Sequence, residues 1–208
     1  MIKLRSLITE NNLKGKTLIS VDIQPEYENF LSFDVNKWVN MINESYDNLG
    51  DMVFLYNGAD TLGMVSEDDY KMWLIDCGIG EDIINGSKFY DKGFAFFRYC
   101  MDRGIDEDDI VDFVKFLIRK GINDSREMTK ELWKEYIRGQ DHKWVRKELV
   151  ALLENSDDMI HIPDLMEYLK RYSGVVLMGG GINECLKEVE ISLKVLGKGY
   201  EVLKEYTY

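Results

Sequence analysis

The spacing of apolar positions changes several times along the chain, and each change predicts an element. Thr17-Leu18-Ile19-Ser20-Val21 is a short β-type run preceded by Lys14-Gly15-Lys16 and closed by Asp22. Pro25 then predicts a turn or loop. From Asp34 to Asn48, apolar residues fall at Val35, Trp38, Val39, Ile42 and Tyr46, which is helical spacing with Asp34 as N-cap. Met52 to Tyr56 is a second buried strand that stops at Asn57-Gly58. Glu67 to Asp76 reads as a helix with Tyr70, Trp73 and Leu74 on one side, broken by Cys77-Gly78-Ile79-Gly80. Ser87 to Lys92 predicts a third, shorter strand.

The second half is mostly helical until near its end. Asp106 to Lys120 is an amphipathic helix that Gly121 terminates. Further helices are predicted over Thr129 to Arg138 and from about His142 to Glu154, and Asn155-Ser156-Asp157-Asp158 is a break. Pro163 suits the first turn of a helix reaching Tyr172. Val175 to Met178 is a fourth strand, Cys185 to Leu196 a helix, and Tyr200 to Leu203 a last strand. Strands that alternate with helices predict an α/β fold, a three-layer sandwich with a mainly parallel sheet of about five or six strands. The expectation is one domain over residues 1–208, with a helical insertion near 102–160 that forms a lid or an oligomer contact.

Charge narrows the function classes. The chain of 208 residues carries a net charge of −12, which argues against a nucleic-acid groove or an anionic membrane surface. Cys77, Cys100 and Cys185 are far apart and form no Cys-x-x-Cys pair, so a reduced, cytoplasmic setting is expected. Met1 to Asn12 lacks the apolar core of a secretory signal, and no apolar run approaches a membrane span.

The chemistry centres on Val175 to Cys185. An apolar run stops at Gly179-Gly180-Gly181, and Cys185 follows where a helical pattern begins. The amides of such a turn favour negative charge and predict a thiol biased toward its thiolate. In a parallel sheet the ligand sits outside the carboxyl ends of the strands, and Asp22, Lys92 and Cys185 all fall there. A carboxylate there is suited to take the thiol proton, and a lysine to hold the thiolate by charge. The turn amides are suited to an oxyanion on an attacked carbonyl.

These residues also carry a resemblance. Asp22-x-Gln24-x-x-Tyr27 after an apolar strand resembles the Asp-x-Gln-x-x-Phe opening of the isochorismatase-like cysteine hydrolases. Gly179 to Cys185, with the helix and Gly199-Tyr200-Glu201-Val202 after it, resembles that family's Gly-Val-x-Thr-x-x-Cys run and next strand. The likeness spans roughly residues 16 to 57 and 160 to 203. It implies Asp22 as base, Cys185 as nucleophile and a lysine between them. Lys92, in Lys92-Gly93-Phe94-Ala95-Phe96, is assigned to that place, with Lys88 as the fallback. It further implies a cis peptide at Gly180–Gly181, oxyanion amides at Gly181 and Cys185, and an amide, carbamoyl, related C–N or vinyl ether substrate. The expected substrate-binding positions are Gln24, Tyr27, Asn57, Phe94 and Ile182. Ile182 stands where the family has threonine, the stretch from about Asp102 to His161 is longer than usual, and no family-type helix follows the last strand.

Other readings compete. The three glycines could cradle a phosphate, but no Gly-Lys-Ser/Thr follows and Glu184 and Glu188 repel an anion. Asp22, Asp157 and Asp158 could form the carboxylate set of a metal-dependent hydrolase or nuclease. An inactive relative that binds a small ligand or a protein is the third alternative. His142 and His161 do not form an Asp/His metal pattern, so no metal and no cofactor are expected. A small-molecule substrate and a homo-oligomer are expected, with no nucleic acid or membrane partner.

Overall fold

The computed structural model describes residues 13–25, 31–60, 63–64, 66–92, 100, 104–122, 127–138 and 164–208. The expected helix from about His142 to Glu154, and Pro163, Tyr27, Phe94, Asp157 and Asp158, lie outside these residues.

Five strands form one all-parallel sheet. They are β1 (Thr17–Val21), β2 (Asp51–Tyr56), β5 (Lys88–Asp91), β6 (Val175–Gly179) and β7 (Tyr200–Val202), in the order β5-β2-β1-β6-β7. A two-stranded antiparallel hairpin, β3 (Ala59–Asp60) with β4 (Gly63–Met64), stands apart from it. The helices are α1 (Val35–Ser45), α2 (Glu67–Asp76), α3 (Glu81–Gly86), α4 (Glu107–Lys120), α5 (Lys130–Arg138), α6 (Asp164–Leu169) and α7 (Cys185–Val195). The sequence pattern misses α3 and the hairpin, which are too short for a period to emerge.

Local chemistry explains the ends. Asp34 accepts from the Asn36 amide at α1, Ser66 from Asp69 at α2, and Asp106 from Asp108 at α4. Gly121 ends α4 in the left-handed region at φ 69°. The helix expected to reach Asn48 is α-helical only to Ser45, after which Tyr46–Asn48 tightens to a 3-10 turn.

β1, the later part of β2, and β6 are buried on both faces because helices cover both. Leu18, Phe54 and Met178 pack with α1, α2 and α3 through Trp38, Ile42, Tyr70 and Ile83. Ile19, Leu55 and Leu177 pack on the other side with Leu165, Leu169, Val189 and Leu193 of α6 and α7. The outer side of α7 is not left to solvent. Ile191 and Val195 join Ile110, Phe113, Val114 and Trp133 in a further core formed by α4 and α5. Glu107 clamps that contact by ion pairs to Lys187 and Lys194. The described helices of the expected insertion, α4 and α5, therefore pack against the outer side of α7. None of the described helices is long and apolar enough to cross a membrane.

The strand order creates the site. From β1 the chain winds one way to β2 and β5, then returns to β6 and β7 on the other side. The carboxyl ends of β1 and β6 flank this switch point, where neighbouring connections diverge and leave a crevice.

Candidate active site

Asp22 is the first residue past β1, Lys92 the first past β5, and Cys185 the first of α7 after β6. The amide of Asp22 still reaches Leu55 O at 2.8 Å, and that of Lys92 reaches Tyr56 O at 2.7 Å. The sheet thus carries both side chains to its edge in register. Asp22 is the one described non-glycine residue with a left-handed φ, 46°. Asp tolerates that region better than most residues, and the kink turns its side chain off the strand direction.

The loop after β1 is pinned from several directions. Tyr70 Oη donates to Ile23 O at 2.8 Å. Gln24 Oε1 accepts from the Asn57 amide at 2.9 Å, and Gln24 Nε2 donates to Asn57 O at 3.3 Å. Gln24, an expected substrate contact, here bridges the ends of β1 and β2. Tyr208 Oη donates to Asp22 O at 3.2 Å.

The glycine turn is built by contact as much as by conformation. Gly179 has φ 78°, and a Cβ there would lie 2.4 Å from Val21 O. Gly180 has φ 63°, and a Cβ there would lie 2.8 Å from Leu186 N. Only glycine lets the end of β6 lie against β1 and the turn fold onto α7. The expected cis peptide at Gly180–Gly181 is not found: among the described residues every peptide is trans, and two left-handed glycines reverse the chain instead.

Beyond the turn, Gly181 O accepts from Glu184 and Leu186, while Ile182 N donates to Tyr208 O at 2.8 Å. Ile182 itself is 48% exposed, an apolar side chain on the turn between β6 and α7. No side chain caps α7. Among the described residues, neither the Gly181 nor the Cys185 amide donates a hydrogen bond to another protein group. The segment that leads into the cysteine thus keeps two backbone donors without a protein acceptor.

The side chains converge. Lys92 reaches across the end of β2, a span of about two strand spacings or roughly 10 Å between β5 and β1, to put Nζ 3.3 Å from Asp22 Oδ2. Lys88 lies at the opposite, amino end of β5 and is exposed, so the register selects Lys92 over the fallback. Both Asp22 oxygens are buried, and the 3.3 Å contact with Lys92 is an ion pair whose angle keeps it from being a hydrogen bond; the Cys185 thiol faces the same carboxylate. A second carboxylate, Glu188, places Oε2 2.6 Å from Lys92 Nζ. Burial alone would lower the Lys92 pKa, but the charges of Asp22 and Glu188 outweigh it and hold the lysine above its ordinary value, as a cation.

The thiol behaves otherwise than the sequence predicts. Burial first, then the negative charge of Asp22, raises the Cys185 pKa well above that of a free thiol, and Lys92 only partly offsets them. Cys185 therefore rests as a protonated thiol, not as the thiolate that the turn amides alone suggested. Desolvation outweighs the helix terminus here. Cys185 is 7% exposed and shares the apolar core of Leu186 and Val189, yet Asp22 and Lys92 stand against its other side.

Glu188 went unassigned in the sequence, where it figured only as a charge hostile to anions. Its signal is its place: three residues after Cys185, on the same side of α7. Asn57 sits one residue past β2 with its Oδ1 buried and unpaired among the described residues. Among the described residues no three His, Cys, Asp or Glu side chains come together as a metal site. Of the alternative carboxylate set only Asp22 is described, and the Lys92 ammonium already lies against it.

No protein-family model matches the chain, and no match was found among curated proteins or solved structures.

Proposed function

We propose that this chain is a cysteine hydrolase of the isochorismatase-like kind, acting on a small amide, carbamoyl or related C–N substrate. One observation carries the reading. A buried lysine and a buried aspartate meet at 3.3 Å at the carboxyl edge of a parallel sheet, against a cysteine that opens a helix after a glycine turn. The quoted motifs around Asp22 and Cys185 support the same family.

The chemistry follows from the resting states. Because Cys185 holds its proton, attack needs a base at hand, and Asp22 accepts the proton as sulfur bonds to the carbonyl carbon. The electron pair displaced onto oxygen is met by the Gly181 and Cys185 amides. Lys92 balances the negative charge of Asp22 and of sulfur. Collapse breaks the C–N bond, and the nitrogen leaves with the proton that Asp22 returns. Water then adds to the thioester, giving a proton to Asp22; the C–S bond breaks and sulfur regains that proton. The sum is amide plus water to acid plus amine. Asn57 Oδ1, buried and unpaired among the described residues, is a suitable acceptor for a substrate N–H. Three free cysteines agree with a reduced, cytoplasmic setting.

The test is ammonia release across a panel of small amides and carbamoyl compounds. Wild type is expected to turn over at least one member, and Cys185→Ala and Asp22→Asn to lose at least 100-fold in kcat. Activity that survives Cys185→Ala and disappears with EDTA overturns the reading in favour of a metal-dependent hydrolase. A panel with no turnover favours a binding protein on the same fold.

A further inference from the structure

Glu188 has no part in the proton path above, yet it is the closest partner of Lys92. It is 1% exposed and three residues past Cys185, so its side chain and the thiol leave the same side of α7. Acidic side chains are rarely buried so fully unless they are paired. Here the pairing is uneven: Lys92 Nζ lies 2.6 Å from Glu188 Oε2 and 3.3 Å from Asp22 Oδ2, and only the Glu188 contact is a hydrogen bond. The charged groups facing Cys185 are Asp22 at the end of β1, Lys92 at the end of β5 and Glu188 on its own helix. Lys92 faces Asp22, Glu188 and the thiol. Two carboxylates therefore share one ammonium.

We propose that Glu188 is a positioning residue that holds Lys92 back from Asp22, leaving the Asp22 carboxylate free to accept the thiol proton. The missing hydrogen bond between Lys92 and Asp22, beside the one Lys92 gives to Glu188, fits that restraint and leaves the carboxylate facing the thiol. Had Lys92 docked squarely on Asp22, the base would be tied up and its charge, which raises the thiol's pKa, would be offset, favouring a standing thiolate. With Glu188 in place, sulfur keeps its proton until a substrate is ready to be attacked. This rests on the hydrolase reading for its consequence in turnover, but its effect on the thiol needs no substrate.

The experiment compares the full-length wild type with Glu188→Gln, which keeps shape and removes charge. Iodoacetamide labelling of Cys185 is followed by mass spectrometry from pH 6 to 10, with Cys77 and Cys100 as internal references, beside kcat on any amide that wild type hydrolyses. Glu188→Gln is expected to label Cys185 about tenfold faster at pH 8, one pKa unit's worth of thiolate, while kcat falls. Labelling at Cys77 and Cys100 stays unchanged. A general loosening predicts otherwise, with all three cysteines gaining reactivity together, and Glu188→Asp, which keeps the negative charge beside the thiol, separates release of Lys92 from loss of that charge. An unchanged or slower Cys185, or a general rise at all three, overturns the proposal. Glu188→Asp is measured beside it, and stands alone if Glu188→Gln does not fold, since the shorter acid releases Lys92 while the charge remains. A threefold or larger rise supports the assignment and an unchanged rate overturns it. Selective acceleration with no turnover by wild type removes the hydrolase reading alone. Turnover by wild type with Cys185 labelling unmoved removes the role of Glu188 alone.

Discussion

Replacing Lys92 by methionine tests whether the buried cluster holds the sheet edge together. The side chains of Lys92, Asp22 and Glu188 are 3%, 0% and 2% exposed. Methionine keeps most of the aliphatic stem but leaves two buried carboxylates with no cation between them. Removing one partner of a buried pair costs about 3–5 kcal/mol, because the charge left behind stays desolvated. That is roughly a third of the total stability of an ordinary domain, about 5–15 kcal/mol. For a chain of this length each kcal/mol moves Tm by about 2–4 °C, so the drop should be on the order of 10 °C. Urea titration followed by circular dichroism, with calorimetry for Tm, measures it. Adding Glu188→Gln to Lys92→Met removes one of the orphaned charges and should recover at least about 1 kcal/mol, a coupling expected of residues in contact. A loss within about 0.5 kcal/mol, the range of an ordinary surface substitution, would refute the reasoning, as would a double variant no more stable than the single.

Three further outcomes follow from the same geometry. Because burial and the Asp22 charge raise its pKa, Cys185 should label more slowly than the partly exposed Cys77 at pH 8. Its rate should still be climbing above the ordinary thiol value of 9.0, and Asp22→Asn should speed it; a plateau below pH 8 would contradict this. Stability should fall on the alkaline side. The unfolded chain gives up the Cys185 proton from about its ordinary value of 9.0, the Tyr172 proton from 10.0 and the Lys92 proton from 10.5, while the folded chain, with all three raised, retains them. Urea midpoints measured from pH 8 to 10.5 should therefore decline, less steeply in Cys185→Ala, and equal slopes would count against the buried thiol. Gly179→Ala combines a left-handed φ, about 1–2 kcal/mol for an L-residue, with a Cβ 2.4 Å from Val21 O, and should cost more than 2 kcal/mol or fail to fold. A Tm within 2 °C of wild type would show that β6 need not approach β1 so closely.

Much of this was readable in order along the chain. The β-type runs at 17–21, 52–56 and 175–178, the N-caps at Asp34 and Asp106, and the stop at Gly121 match the structure to within a residue or so, since each rests on contacts between near neighbours in sequence. The positions of Asp22 and Lys92 at strand ends and of Cys185 at a helix start were readable for the same reason. Period alone could not reveal that β1 lies at the centre with β6 beside it, that Lys92 crosses β2 to reach Asp22, or that Gly179 must be bare because Val21 O is there. Nor could it weigh the two influences on the thiol. A helix terminus is a local feature and pulls toward thiolate, whereas desolvation and a carboxylate more than 160 positions away pull harder toward thiol. Composition and spacing determined which groups stand at the ends of the elements. The packing of distant segments decided which of those groups meet, how dry they are, and that Glu188, three residues past the cysteine, became the closest partner of Lys92.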